Sequence, residues 1–409
     1  HVRRIENETQ RPGEQPLLVT GDQLHVLDVG KPYAAVDVTG RLAHFEARGL
    51  ALNGSNIQLN RGTNRLWIDG PGWMNLPMDR DPQGRPVRDA GPLEIHWQDR
   101  MDFDGRTVRY EDSVVATSRF HHLRTETLEV TLSRTIRFAE ANSNVRPEIQ
   151  QIICRGGAYM ENHKVDEGGQ ESIERIQVGD LAVNMASGAL SAAGPGWVRT
   201  TRRGSAASLD ALRGARTAMH TARRPAGRDP RDDHALTYVG VDFQRSLSGN
   251  LHRREMTFLD RVRTVYGPAD SWDAVLDPDK PEELGSGGAV LSCDALTVAE
   301  MAVPNRKERA MELVATGNTL VEAASFTARA SRLSYAEAKD LLILEGDGRT
   351  DAELFRQERI GAEMSRFAAR KIFYWPSTER LNIDSGSLVE VNESSKPKPD
   401  QPQPRAQTM

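Results

Sequence analysis

Ten histidines, two cysteines and a few paired carboxylates are the side chains of this 409-residue sequence that could carry acid, base, nucleophile or metal chemistry. Metal binding by imidazole needs ligands held at a defined spacing, as on one face of a helix. The close pair His121-His122 has no acidic or cysteine partner at metal spacing on a helix, and it reads as a surface pair beside a turn. Cys154 and Cys293 are too few for a cysteine zinc site or a disulfide framework. They read as two half-buried strand residues, or as one disulfide in an oxidising compartment. General acid–base work by Glu111-Asp112 or Asp232-Asp233 would need a buried carboxylate, yet both pairs fall at strand ends or in loops, where charges are solvated. The sequence contains no G-x-S-x-G, P-loop or H-E-x-x-H pattern, and the glycine-rich run 285–288 follows an acidic loop without opening a helix. The expectation is a protein that is not an enzyme and that uses no metal and no cofactor.

Recognition surfaces are the remaining option. Trp73 and Trp197 each follow a Gly-Pro-Gly turn, where an indole either stacks on a sugar ring or lipid headgroup or plugs the end of a sheet core. With 53 Lys+Arg against 58 Asp+Glu the net charge is -5, so no nucleic acid partner is expected. Nine arginines fall between Arg199 and Asp233. That stretch has no strand pattern and reads as a flexible insertion with a short helix near Ser208 to Thr221. No run of about eighteen apolar residues exists, which excludes a transmembrane helix.

The elements that would position any such surface are strands. Hydrophobic residues make up 38% and aromatics 6%, a composition suited to thin cores and long polar faces. Alternating segments such as LHVLDV at 24–29, RLWID at 65–69, LEIHW at 93–97 and LEVTL at 128–132 are separated by Gly, Asn and Asp, the pattern of antiparallel strands with one wet face. The segment 307–340 has helical propensity, but its alternation around Gly317-Asn318 places it in a sheet.

Three segments superimpose without a gap: from Ser55, from Gly179 and from Ser331. In this register Ile57, Leu181 and Leu333 align, then Leu59, Val183 and Tyr335, then Leu66, Leu190 and Leu342, then Ile68, Ala192 and Leu344. Each copy reads as a hairpin with one apolar face, and a degenerate fourth spans Ile372 to Gly386. Glycines close the copies as structural turns: Gly70 and Gly72, Gly194 and Gly196, Gly346 and Gly348. A second unit recurs from Leu93 and from Tyr238, with an acidic residue two before a valine: Asp112 before Val114, and Asp260 before Val262.

The stretches Phe103-Asp104-Gly105 to Val115 and Glu312 to Gly346 resemble the OstA-like, LptA-type domain of lipopolysaccharide-transport proteins, found also in LptC and the periplasmic part of LptD. The resemblance implies an all-β, elongated antiparallel β-jelly-roll, or β-taco, built from repeated OstA-like units. Composition sets apart a flexible segment 1–16, the Arg-rich insertion 201–236 and a disordered Pro-rich tail 392–409, and the resemblance implies jelly-roll regions at 17–200 and 237–391. The implied partners are lipopolysaccharide or a similar lipid, and other jelly-roll envelope proteins joined by strand-edge pairing. The implied place is the periplasm or the outer membrane; no leader pattern is visible from His1, so export rests on the resemblance. The lipid slot would be lined by Ile57, Leu59, Leu66, Ile68, Leu181, Val183, Leu190, Leu333, Tyr335, Leu342 and Leu344. Two other readings of the repeats are an envelope scaffold without lipid cargo and a parallel β-helix enzyme acting on polysaccharide.

Overall fold

The computed structural model describes residues 18–390 except 48–49, 78–90, 139–146, 166–170, 204–235, 281–283, 285–287, 304–308, 324–325, 358–362, 376–377 and 379. The segment 1–16, nearly all of the Arg-rich insertion with its expected helix and Asp232-Asp233, most of the run 285–288 and the tail 392–409 lie outside the described residues. What is described is all-β, with one short 3-10 turn at Glu337–Lys339.

In chain order the strands are β1 (Leu18–Thr20), β2 (Gln23–Leu27), β3 (Ala35–Ala47), β4 (Leu50–Asn60), β5 (Arg65–Asp69), β6 (Gly72–Pro77), β7 (Pro92–Trp97) and β8 (Arg100–Phe103). They continue as β9 (Thr107–Thr117), β10 (His121–Leu132), β11 (Ile149–Val165), β12 (Glu171–Val178), β13 (Leu181–Asn184), β14 (Ala189–Ala193), β15 (Gly196–Arg203) and β16 (Leu236–Phe243). The last are β17 (Ser246–Asn250), β18 (Glu255–Ala269), β19 (Ala289–Ala302), β20 (Arg309–Ala323), β21 (Phe326–Ala336), β22 (Leu341–Glu345), β23 (Ala352–Gln357), β24 (Met364–Trp375) and β25 (Arg380–Glu390). Most of the described part of the helix-prone segment 307–340 thus lies in β20 and β21, where β-pairing overrides local propensity.

All twenty-five strands belong to one sheet, and its ladders among the described residues are antiparallel. That pairing removes the parallel β-helix reading, whose coils require parallel ladders. Seven pairs of short strands, β1/β2, β5/β6, β7/β8, β12/β13, β14/β15, β16/β17 and β22/β23, lie end to end as single rungs; the other eleven strands are rungs by themselves. Among the described residues each of these eighteen rungs pairs only with the rungs before and after it in the chain, so the connectivity is a meander. A jelly-roll requires Greek-key crossings, and no such ladder is found among the described residues. Around the three split rungs between β11 and β18 the pairings close a ring of eight strands. The β15–β16 ladder, Gly196↔Phe243 to Arg203↔Leu236, joins the stretches on either side of the Arg-rich insertion into this one sheet.

Every rung is interrupted or bulged near its middle, and the local chemistry explains how. The split rungs break at Gly21-Asp22, Gly70-Pro71, Gln98-Asp99, Gly179-Asp180, Gly194-Pro195, Gln244-Arg245 and residues 346–351. Several continuous rungs turn through left-handed residues at the same level: Asp112-Ser113 in β9 (φ 65 and 50), Gly156-Gly157 in β11 (φ 78 and 100) and Asp260-Arg261 in β18 (φ 70 and 46). Asp and Asn tolerate this region better than other L-residues because a short polar side chain bonds locally. The recurring acidic residue two before a valine is therefore the bend itself. Both copies receive the same backbone bonds, Gln98 N–H to Asp112 O (2.9 Å) and Gln244 N–H to Asp260 O (2.9 Å). Carboxylates also bond at the bends across rungs, since Asp180 accepts from the Gly156 backbone N–H at 2.9 Å and Asp294 from the Asn318 side-chain Nδ2 at 2.8 Å.

The three superimposed segments form hairpins in one register. Ile57↔Ile68, Leu181↔Ala192 and Leu333↔Leu344 face each other, as do Leu59↔Leu66, Val183↔Leu190 and Tyr335↔Leu342. The fourth segment pairs likewise, with Ile372↔Ile383 and Tyr374↔Leu381.

The bends fold the sheet lengthwise into two walls. Wall A holds β2, β5, β8, β13, β14, β17, β22 and the matching halves of the continuous rungs; wall B holds β1, β6, β7, β12, β15, β16, β23 and the other halves. The apolar faces of both walls merge into one buried cluster running from Val19 to Tyr374, and with a single sheet the two walls must cover one another. A second, small cluster of Tyr238, Val265, Leu284 and Val290 lies apart from it, with Leu276 packed on it.

At the bend of β6, Trp97 is fully buried and donates from Nε1 to Gly70 O at 3.1 Å. A Cβ on Gly72 would stand 2.5 Å from Trp97 Cζ2 and 2.6 Å from Asn53 O. Gly72→Ala is therefore expected to destabilise the fold by about 1–3 kcal/mol, read as a lowered denaturation midpoint with unchanged slope. An unchanged midpoint would contradict this close packing of the bend.

Candidate functional site

Side chains alternate between faces along each strand, so cross-strand partners form ladders that run from rung to rung. On the inner face of wall A, the ladder beside the bends passes from Val38 through Ile57, Ile68, Met101, Tyr110, Leu128 and Cys154 to Leu181. It continues through Ala192, Leu247, Phe258, Leu296, Ala315, Leu333 and Leu344 to Ile372. All of these are buried. Full burial contributes roughly 1.5–3 kcal/mol for each large aliphatic or aromatic side chain, which makes this ladder the sheet's keel.

The next ladder outward is also apolar, but many of its members are only half-buried. It runs Val36, Leu59, Leu66, Phe103, Val108, Val130 and Ile152, then Val183, Leu190, Gly249, Met256 and Val298, and ends through Leu313, Tyr335, Leu342 and Tyr374 at Leu381. Wall B carries a counterpart in Leu123, Met160, Ile176 and Val198, each paired with the next and each half-buried. At about 4.8 Å per rung, the eighteen rungs make a path on the order of 80 Å long.

The eleven residues singled out from the repeats all lie on the inner face of wall A, within the one apolar cluster. Ile57, Leu66, Ile68, Leu181, Val183, Leu333, Tyr335, Leu342 and Leu344 are buried by the protein's own side chains, whereas Leu59 and Leu190 keep part of their surface. The turn glycines Gly70, Gly72, Gly194 and Gly196 sit at the bends, and Gly346 and Gly348 fill the break between β22 and β23. Cys154 and Cys293 are free and buried, with thiols pushed up to about 11 and about 12 by burial, so neither a disulfide nor a reactive thiolate is present.

The outer face of wall B carries a different surface, which the sequence reading did not assemble. His122, Arg124, Tyr159, Glu161 and Gln177 line an open cleft of about 440 Å³. Cross-strand pairing sets it out in two rows, Arg124↔Tyr159↔Gln177↔Trp197 and His122↔Glu161↔Arg175↔Arg199. The Glu161 carboxylate accepts from Arg175 Nε at 2.7 Å and from Tyr159 OH at 3.1 Å, and meets His163 Nε2 at 2.8 Å. Chiefly the bond from Arg175, then that from His163, holds its pKa down to about 2. His122 is held below the usual imidazole range by burial and by the Arg124 charge. It accepts from Arg124 Nε at 2.8 Å and meets Thr117 Oγ1 at 3.2 Å, an arrangement that suits a neutral ring.

Trp73 and Trp197 also lie on this outer face, so neither plugs the core. Trp73 stacks with His96, and Trp197 has the Arg199 guanidinium 4.1 Å from its ring centroid and Tyr159 edge-on. The period-2 spacing of Arg124 with His122, and of Tyr159 with Glu161, was the available signal; which strands would lie side by side was not.

No family model and no curated protein matches the chain.

A carboxylate with a depressed pKa adds stability that is present above its unfolded value and lost as pH falls through its folded value. For Glu161 the window runs from 4.5 down to about 2. Glu161→Gln is therefore expected to show a smaller loss of stability between those pH values than the parent protein, measured by denaturant melts across the range; equal losses would show that the Arg175 contact is not made.

Proposed function

We propose that this protein is a non-enzymatic lipid carrier of the cell envelope, which shelters acyl chains of lipopolysaccharide or a similar lipid between the two walls of its folded sheet. The observation that carries the reading is the half-buried apolar ladder from Val36 to Leu381, which continues from rung to rung with only Gly249 lacking an apolar side chain. Each buried methylene of an acyl chain contributes about 0.8 kcal/mol, so a long apolar path binds lipid without any polar motif. Two walls with facing apolar sides, joined by nearest-neighbour pairing, support the trough that the resemblance to OstA-like domains implies. The end rungs β1/β2 and β25 each have one unpaired edge among the described residues, which suits strand addition by other envelope proteins. The periplasm or the outer-membrane face is the compartment this reading assigns.

A scaffold without lipid cargo is the second reading. It is favoured by the keel ladder, whose members such as Ile68, Leu296 and Leu344 are at 0% exposure and leave no room beside the bends. Native mass spectrometry of delipidated protein with lipid A added back separates the two. The carrier reading predicts lipid adducts on the parent protein, reduced at least tenfold in Leu59→Asp and Leu190→Asp and retained in the outward-facing Thr131→Asp. A clean apo mass at every lipid concentration would establish the scaffold instead.

A further inference from the structure

We infer that the cleft on the outer face of wall B is a binding site for an anionic saccharide, a sugar chain bearing carboxylate or phosphate groups. Arg124 is exposed, and its Nε bond to His122 leaves both terminal nitrogens of the guanidinium for a ligand. No carboxylate among the described residues pairs with it; the acid that lines the cleft, Glu161, is occupied by Arg175, His163 and Tyr159. A guanidinium fork with two outward donors matches a carboxylate or phosphate in a bidentate way.

The rest of the surface supplies what a sugar ring needs. Gln177 lies exposed on the rung next to Tyr159 and offers an amide donor and acceptor. Tyr159 and Trp197 meet edge to face at 6.3 Å between ring centroids and give apolar area with polar rims. Arg199, against Trp197, places a second guanidinium at the far end. From Arg124 to Trp197 are three strand spacings, about 14 Å, the span of a short oligosaccharide rather than of a single anion. The base of the cleft is firm, since Arg175 ties Glu161 to Asp273 at 2.6 Å and to the Trp272 carbonyl at 3.1 Å. This surface lies on the opposite side of the sheet from the apolar ladders, so it stands or falls independently of the lipid reading.

The same chemistry is offered by a free acidic polysaccharide and by the headgroup of an acidic glycolipid. Isothermal titration of the full chain with tri-galacturonic acid, with maltotriose, and with phosphatidylcholine vesicles with and without a sialylated glycolipid tests the site and distinguishes the sources. The expected result is saturable binding of tri-galacturonate, of the glycolipid vesicles or of both, and none of maltotriose. Affinity should fall at least tenfold in Arg124→Gln, fall by a smaller factor in Gln177→Ala, and weaken with added salt. Both side chains are exposed, so an unchanged thermal midpoint is expected and separates lost binding from lost fold. Binding that is equal in Arg124→Gln, binding of maltotriose as tight as that of tri-galacturonate, or no binding of either acidic probe would overturn the assignment.

Discussion

The bend in the middle of each rung is the constraint on which the rest of the molecule depends. A flat meander of eighteen rungs would leave one apolar face in water along its whole length. Because the bends fall at one level, the sheet folds along a single line and its two halves cover each other. Left-handed backbone at Asp112-Ser113 and Asp260-Arg261, with glycines at Gly156-Gly157, makes this possible at small conformational cost. The Asp180 carboxylate then satisfies a backbone N–H that the interrupted ladder leaves behind, and Asp294 holds the Asn318 side chain at the bend of β20.

From that fold follow two faces with different chemistry. Inside, ladders of Ile, Leu, Val, Phe and Met run through rung after rung, fully buried beside the bends and partly buried farther out. Outside, cross-strand ion pairs such as Arg109–Glu129 at 2.6 Å and Arg366–Glu353 at 2.5 Å keep the walls solvated. Individually such surface pairs stabilise by at most about 1 kcal/mol, so the interior carries most of the stability. A protein of this design needs no catalytic motif to have a function, because its candidate working surfaces are extended rows of ordinary side chains.

Much of the fold was legible because strand alternation and hairpin spacing are local signals. The pairs Ile57↔Ile68, Leu181↔Ala192 and Leu333↔Leu344 stand in the register that the superimposed segments indicate. The bends of the split rungs showed in the closing glycines Gly70, Gly72, Gly194 and Gly196, whereas those of the continuous rungs showed only as an unexplained recurrence of Asp112 and Asp260 before a valine, since left-handed backbone leaves a weak mark on composition. Meander versus jelly-roll connectivity was not readable, because alternation says which face a residue takes and not which strand lies beside it. For the same reason the outer cleft went unseen. Arg124, Tyr159, Gln177 and Trp197 are neighbours only through the ladders of β10, β11, β12 and β15. Trp197 attracted notice as an aromatic after a glycine turn, but its position on the outer face depends on where β15 begins.

In the proposed carrier the inner face, and not the outer one, meets acyl chains. Val130 and Thr131 are adjacent in β10, with Val130 packed on the inner cluster and Thr131 facing outward toward Thr107 Oγ1 at 3.4 Å. A photo-reactive amino acid placed at each position in turn, irradiated with acyl-labelled lipid A, tests the claim directly. Crosslinks from position 130 with none above background from position 131 are the predicted result; equal labelling from both, or labelling from neither, would contradict it.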